Sequence, residues 1–101
     1  MFYLPTDDAI ETIDREHLLA LRFSHDDVLE GHVAEQKRRR HDAERAALLT
    51  NAHDTKTTIY FRTEDGHTKR VRAKVLTAHN QYLTLKGDIQ LPLRAVLGIE
   101  A

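Results

Sequence analysis

The first half of the chain has apolar positions at the spacing of helices. Thr6 and the two aspartates that follow Pro5 resemble a helix start, because a threonine oxygen can cap free backbone N–H groups and acidic side chains favour that end of the helix dipole. A helix is therefore predicted over about residues 7–22. Its expected inner face consists of Ile10, Ile13, His17, Leu18 and Leu21.

A second helix is predicted from about His25 to Leu49. Ser24, with an acidic residue three positions later, resembles a capping box at its start. Apolar side chains mark both ends of this helix, but Gln36–His41 is wholly polar and cannot be buried on all sides. Asn51 is expected to end the helix in a left-handed conformation.

Residues 57–100 form short runs in which apolar and polar side chains alternate, as they do in strands. Five strands are predicted, over Thr57–Thr63, Lys69–Leu76, Tyr82–Lys86, Ile89–Leu91 and Val96–Glu100. Asp65-Gly66 is a hairpin-turn signal, and Pro92–Ala95 leaves room for one 3₁₀ turn. The strand residues expected to face inward are Val71, Ala73, Val75, Leu83 and Leu85.

Five short strands are too few for a sandwich and suit a small closed barrel, which leaves no strand edge exposed. The predicted fold class is therefore α+β, with two N-terminal helices followed by a small five-stranded antiparallel barrel. A length of 101 residues predicts a single domain, in which residues 1–55 are helical and residues 56–101 form the barrel.

The barrel segment resembles a known group of small folds. The alternating strand Val71-Arg72-Ala73-Lys74-Val75 and the closing segment Ile89–Glu100 resemble the Sm-like or SH3-like small barrels. Ala73 stands where those barrels often have a glycine that lets the second strand bend. The resemblance implies a barrel that binds RNA or serves as an assembly module.

Within that group, the segment looks most like the YolD-like proteins, small bacterial proteins with a helical N-terminal part. Ile59-Tyr60-Phe61 with Asp65-Gly66 matches their aromatic strand and turn. Leu91-Pro92-Leu93 with Val96 and Ile99 matches their closing phrase. This resemblance implies a link to DNA-damage-response genes.

Charge is unevenly distributed along the chain. Residues 1–36 carry two basic and nine acidic side chains, whereas residues 56–101 carry eight basic and four acidic ones. This asymmetry predicts either internal charge pairing, which we favour, or a basic binding surface. The absence of cysteine excludes disulfides and thiolate metal sites. No apolar run approaches the roughly 20 residues of a membrane span, and the start lacks the features of a signal peptide, so a cytoplasmic location is predicted.

A basic strip is the candidate binding surface. Arg70, Arg72 and Lys74 should share one outward strand face, about 6.5–7 Å apart. Arg62, Tyr82 and Lys86 are expected to flank them on neighbouring strands. Basic groups beside an aromatic ring can hold single-stranded nucleic acid through phosphate contacts and base stacking. A solvated face, or a dock for the acidic helices, is the favoured interpretation because outward strand positions are commonly charged.

The second predicted helix carries another basic run, Lys37–His41. Consecutive helical residues point around the helix rather than along one face, so a solvated helix middle is favoured over nucleic-acid contact. The two separated apolar ends of the same helix also make helix-mediated dimerisation a hypothesis.

Catalytic and metal chemistry find little support in the residues. The seven histidines show no metal-ligand spacing, so no metal site and no cofactor is predicted. Ser24 is the single serine, and its position favours capping over nucleophilic attack. No phosphate-binding loop or nucleophile motif is present, and neither enzyme activity nor a small-molecule substrate is expected.

The predicted function is a non-enzymatic interaction module that binds a protein partner or a second copy of itself. The alternative is a nucleic-acid-binding barrel that uses the basic strip. A third hypothesis, a regulatory partner of DNA-repair machinery, rests on the YolD-like resemblance alone.

Overall fold

The structure, a computed structural model, describes residues 10–100. Over these residues the fold is α+β, with one long helix, two 3₁₀ helices and seven strands in two sheets. The helix α1 spans Val33–His53, and the 3₁₀ helices span Arg15–Ala20 and Leu93–Ala95. The strands are β1 (Glu11–Ile13), β2 (Thr57–Arg62), β3 (Thr68–Ala73), β4 (Val75–Ala78), β5 (Tyr82–Leu85), β6 (Ile89–Pro92) and β7 (Val96–Glu100).

One sheet has the strand order β1-β3-β2-β7, and the other has the order β4-β5-β6. β1 runs parallel to β3, and the remaining pairs are antiparallel. Lys74 alone separates β3 from β4, so the chain passes directly from the first sheet into the second.

The two sheets and one face of α1 share a single apolar core. The predictions for Val71, Ala73, Val75, Leu83 and Leu85 are confirmed, because all five are at most 1% exposed. Burying a valine or leucine side chain contributes about 1.5–3 kcal/mol, so these positions account for much of the stabilisation of the sheets.

Helix α1 packs against β4 and β7, the strands that end the two sheets on one side. Its buried residues are Arg39, Ala43, Ala46 and Thr50, which recur every three or four positions on one face. The small side chains among them let the helix approach closely. The helix therefore contacts an edge strand of each sheet.

The prediction of two N-terminal helices and a closed five-stranded barrel is wrong. Within residues 10–100, the strands form two sheets, and no pairing between β6 and β7 closes them into a barrel. The predicted strand Lys69–Leu76 is divided at Lys74, and its two parts belong to different sheets.

The first predicted helix, residues 7–22, is replaced by β1 and a 3₁₀ helix where the chain is described. The helix-start signal at Pro5–Asp8 and the first residues of that prediction, through Ala9, lie outside the described residues. Glu11, Thr12 and Ile13 pair in parallel with Lys69, Arg70 and Val71. This long-range backbone pairing overrides the local helical pattern, which agrees with the preference of β-branched residues for strands.

The second predicted helix begins at Val33 rather than His25. The Ser24 hydroxyl accepts a hydrogen bond from the Asp26 N–H at 3.1 Å, which closes a local turn instead of capping a helix. Gly31 has φ +81°, which interrupts any helix there. The left-handed C-cap is Asp54, with φ 54°, and not Asn51.

The remaining strands lie within one or two residues of their predicted bounds, and the 3₁₀ turn at Leu93–Ala95 is confirmed. Gly66 has φ +86°, as the predicted Asp-Gly turn requires. Local patterns therefore located the C-terminal strands well, although they missed how those strands are assembled.

Candidate functional site

Arg70 and Arg72 lie on the outer face of the four-stranded sheet. The Arg70 Nε donates to Thr12 Oγ1 at 2.6 Å, and an Arg72 Nη donates to Thr58 Oγ1 at 3.2 Å. Arg62 lies two positions beyond Tyr60, the cross-strand neighbour of Arg70, so it shares their face. The structure thus brings three of the six predicted basic-strip residues together.

Lys74 and Lys86 form a separate group at the junction between the sheets. Lys74 Nζ lies 2.7 Å from Asp54 Oδ1, at the end of α1. The hydrogen bond and the charge of Lys74 lower the pKa of Asp54 below its usual value. The Lys86 N–H donates to the Lys74 carbonyl at 3.0 Å, so Lys86 is a neighbour of Lys74 rather than of Arg70.

Tyr82 is on the three-stranded sheet, opposite Pro92. Its ring lies 4.7 Å from the ring of His79, centroid to centroid. It therefore does not share the sheet face of Arg70 and Arg72, and the predicted strip is not one continuous surface.

The loop over residues 21–32 covers part of the outer face of the four-stranded sheet. Tyr60 is only 7% exposed because it packs with Ile10, Leu29 and Leu97. The open part of this face carries Arg72 and Glu100 on opposite sides of Thr58, with which both pair across the sheet. The face is consequently mixed in charge rather than uniformly basic.

An ion pair with a buried arginine holds this loop in place. Arg39, on the inner face of α1, is 6% exposed. One Nη donates to Asp27 Oδ1 at 2.8 Å, and the other donates to Asp27 Oδ2 at 2.7 Å. The first Nη also donates to the Val96 carbonyl at 3.0 Å. This two-pronged geometry is the strong form of an arginine–carboxylate pair, and it joins the loop, α1 and β7.

Asp27 stays ionised in this setting. Burial raises the pKa of Asp27, but hydrogen bonds from Arg39 and from the Leu29 N–H, together with the Arg39 charge, outweigh burial and lower it. The Leu29 N–H lies 2.8 Å from Oδ1, so this carboxylate receives three hydrogen bonds. The charge of Arg39 is therefore matched inside the protein.

A cleft of about 450 Å³ lies beside this ion pair. We call it the Asp27–Arg94 cleft. Its lining consists of His25, Asp27, Arg39, Asn80, Gln81, Leu93 and Arg94. These residues come from loop 21–32, from α1 and from the segment on either side of β5 and β6, so three distant parts of the chain form its walls.

Hydrogen bonds fix the walls of the Asp27–Arg94 cleft. The Val28 N–H donates to the Arg94 carbonyl at 2.8 Å, and the Leu93 N–H donates to the Gln81 carbonyl at 2.9 Å. Arg94 Nε donates to the Ser24 carbonyl at 2.7 Å, which ties the loop to the second 3₁₀ helix. The Asn80 amide oxygen accepts a hydrogen bond from Arg40. The cleft is therefore preformed and rich in donors.

Sequence reasoning missed Asp27, Arg39 and Arg94 as a group. Arg39 was assigned to a solvated polar run, although it stands four residues before Ala43 and seven before Ala46. That spacing puts it on the same helix face as the two small buried residues, which was the available signal. Nothing in the sequence links Arg39 to Asp27 or Arg94, because their proximity depends on the tertiary fold.

Charge pairing within the molecule also involves the acidic front of the chain. Lys69 Nζ lies 2.6 Å from Glu11 Oε1, which joins β3 to β1. The hydrogen bond and the charge of Lys69 lower the pKa of Glu11. Together with Asp27–Arg39, this contact supports the favoured interpretation of the uneven charge.

Between residues 10 and 100, no group of three or more histidine, aspartate or glutamate side chains is placed to hold a metal ion. In the same range, no helix has the length and apolar content needed to cross a membrane.

No family model, curated protein or solved structure matches the chain. The resemblance to YolD-like and Sm-like proteins therefore stays a prediction.

Proposed function

We propose that this chain is a non-enzymatic interaction module of the bacterial cytoplasm that binds a protein partner through the Asp27–Arg94 cleft. The supporting observation is the Asp27–Arg39 ion pair, in which the arginine is buried and which fixes one wall of a donor-rich cleft before any partner arrives. A preformed site loses less conformational entropy on binding than a flexible one, so it gains affinity from few contacts. Under the YolD-like resemblance, the partner would belong to the DNA-damage-response machinery.

The surface of α1 provides little support for a helix-mediated dimer, which favours a partner other than a second copy of the chain. Val33 and Leu48 are 59% and 69% exposed, but they lie near opposite ends of the helix. Charged residues occupy much of the exposed face between them. Scattered exposed apolar residues are ordinary on protein surfaces and provide little area for a helix-mediated dimer.

Nucleic-acid binding is the second candidate, and it rests on the outer sheet face. The observation that favours it is the shared face of Arg62, Arg70 and Arg72, of which Arg72 is exposed. Two observations reduce its support. Lys74 is paired with Asp54, and Tyr82, the aromatic candidate for stacking, lies on the other sheet.

Selection from a displayed random-peptide library separates the two functions. The full chain is immobilised, and selected peptides are measured against the wild type, Arg94→Glu and the matched control Arg72→Glu. We expect a peptide family that binds the wild type and Arg72→Glu but loses binding to Arg94→Glu. Thermal melting of both variants confirms that each is folded.

A second arm uses a panel of fluorescent single-stranded oligonucleotides at low salt. Nucleic-acid binding by the sheet face would appear as anisotropy that Arg72→Glu abolishes and that falls steeply with added salt. That result, or a library that yields no enriched peptide family, would overturn the proposed function.

A further inference from the structure

The geometry points to a carboxylate as the group that the Asp27–Arg94 cleft receives: the side chain of an aspartate or glutamate in the partner protein. This inference rests on the proposed function and adds the chemistry of the partner. Three features of the cleft support a carboxylate: the unmatched positive charge, the hydrogen-bond donors in the lining and the volume.

Arg94 supplies the unmatched charge. Asp27 is the one carboxylate among the described lining residues, and Arg39 matches its charge. Arg94 uses Nε for the Ser24 carbonyl, and its two terminal amino groups make no hydrogen bond with residues 10–100. The cleft thus carries one guanidinium charge beyond what its own acid neutralises.

The free end of Arg94 is chemically suited to a carboxylate. A guanidinium fork presents parallel N–H groups that match the two oxygens of a carboxylate. Its bond to Ser24 holds the fork in position, so little side-chain entropy remains to be lost on binding. Charge-assisted hydrogen bonds of this kind are stronger than neutral ones.

Two amide side chains provide additional donors. The Asn80 oxygen accepts from Arg40, which leaves the amide NH₂ of Asn80 as the group available to a ligand. Gln81 is exposed and lies next to it in the lining. Leu93 gives the cleft an apolar wall against which the methylene groups of a glutamate can pack.

The charge balance favours one carboxylate over a chain of phosphates. A single negative charge neutralises Arg94, whereas a nucleic acid would bring several negative charges close to Asp27. Arg40, which donates to Asn80 in the lining, is already paired with Glu44 at 3.4 Å. A volume of about 450 Å³ also suits a side chain better than an extended polymer.

Side-chain NMR tests the inference directly on the full chain. The probes are acetyl-Ala-Glu-Ala-amide and its matched control acetyl-Ala-Gln-Ala-amide. We expect the glutamate peptide to shift the Arg94 Nε–Hε signal and the amide NH₂ signals of Asn80 and Gln81. The glutamine peptide should bind at least about tenfold more weakly in a titration that follows these signals, because it lacks the charge-assisted bonds.

Variants locate the binding. Arg94→Gln should abolish the shifts at Asn80 and Gln81, and Arg72→Gln should retain them. Arg94→Lys, which keeps the charge but loses the planar fork, should show shifts of intermediate size. Equal responses to the two peptides, or unchanged shifts in Arg94→Gln, would overturn the carboxylate inference.

Inorganic phosphate serves as the third probe. A response equal to that of the glutamate peptide would mean a general anion site and would also overturn the inference. Failure of the carboxylate inference can be distinguished from failure of the proposed function. A library that enriches peptides bound at the cleft but without acidic residues contradicts only the carboxylate, whereas a library without any enriched family contradicts the module itself.

Discussion

The molecule contains two arginines in opposite situations, Arg39 and Arg72. Arg39 is buried, bound to both oxygens of Asp27 and to the Val96 carbonyl. Arg72 is exposed and donates to the hydroxyl of Thr58. The comparison teaches that the role of a basic residue here depends on what the fold places beside it. Arg39, in the run that resembled solvated surface, joins loop 21–32 to α1 and β7, whereas the hydrogen bond of Arg72 stays within one sheet.

The largest effect in this comparison is expected from Asp27→Ala. It leaves the Arg39 guanidinium buried without its partner, which costs about 3–5 kcal/mol. Because Asp27 is itself partly exposed, we expect the lower end, about 3 kcal/mol, in the free energy of unfolding measured by urea denaturation. A loss no larger than that of a surface substitution would mean that water replaces Asp27 as the partner.

Combining Asp27→Ala with Arg39→Met tests whether these two side chains interact directly. Met fills much of the volume of the arginine stem without a charge, so the double variant should recover part of the loss seen in Asp27→Ala. A coupling energy of about 1–3 kcal/mol is expected from the double-mutant cycle, again by urea denaturation. Strictly additive losses would contradict a direct interaction between the two side chains.

Acid should weaken the ion pair between Asp27 and Arg39. The pKa of Asp27 is lower in the folded chain than in the unfolded one, because the Arg39 and Leu29 hydrogen bonds outweigh burial. Its stabilisation is therefore present above the unfolded pKa, about 3.9, and is lost as pH falls through the lower folded pKa. Urea midpoints measured from pH 6 downward should fall less steeply in Asp27→Asn than in the wild type. Parallel pH profiles would contradict the assignment.

The smallest effect is expected from Arg72→Ala. Its exposed hydrogen bond to Thr58 competes with water, so the free energy of unfolding should change by no more than about 0.5 kcal/mol. Thermal melting is sufficient to measure this difference. A loss comparable to that of Asp27→Ala would remove the distinction between the two arginines.

The sequence located the C-terminal strands and their inward residues because each depends on local alternation. Val71, Ala73 and Val75 face the core as predicted, even though the strand that carries them is divided between two sheets. That division at Lys74 has no local signature, since the alternation continues through it. Barrel closure failed as a prediction because β6 and β7, which the 3₁₀ helix Leu93–Ala95 connects, do not pair with each other within the described residues, and alternation along the chain does not determine which strands pair.

The N-terminal region and the candidate site were harder to predict for a related physical reason. Ile10 and Ile13 have helical spacing, but the residues between them are drawn into a strand by pairing with β3. The Asp27–Arg94 cleft likewise joins residues that are distant in the chain. Placing them together requires the packing of α1 and the path of loop 21–32, and neither can be deduced from periodicity.

The parallel pairing of β1 with β3 has a consequence for the order of folding during synthesis. Glu11 and Lys69, which are neighbours in the sheet, are separated by 58 positions in the chain. A ribosome releases the N-terminal residues first, but their partner strand does not yet exist. Ile13 and the nearby Leu18 must therefore wait without their final core contacts until β3 has emerged. β1 can complete its pairing only after two later strands, β2 and β3, are available.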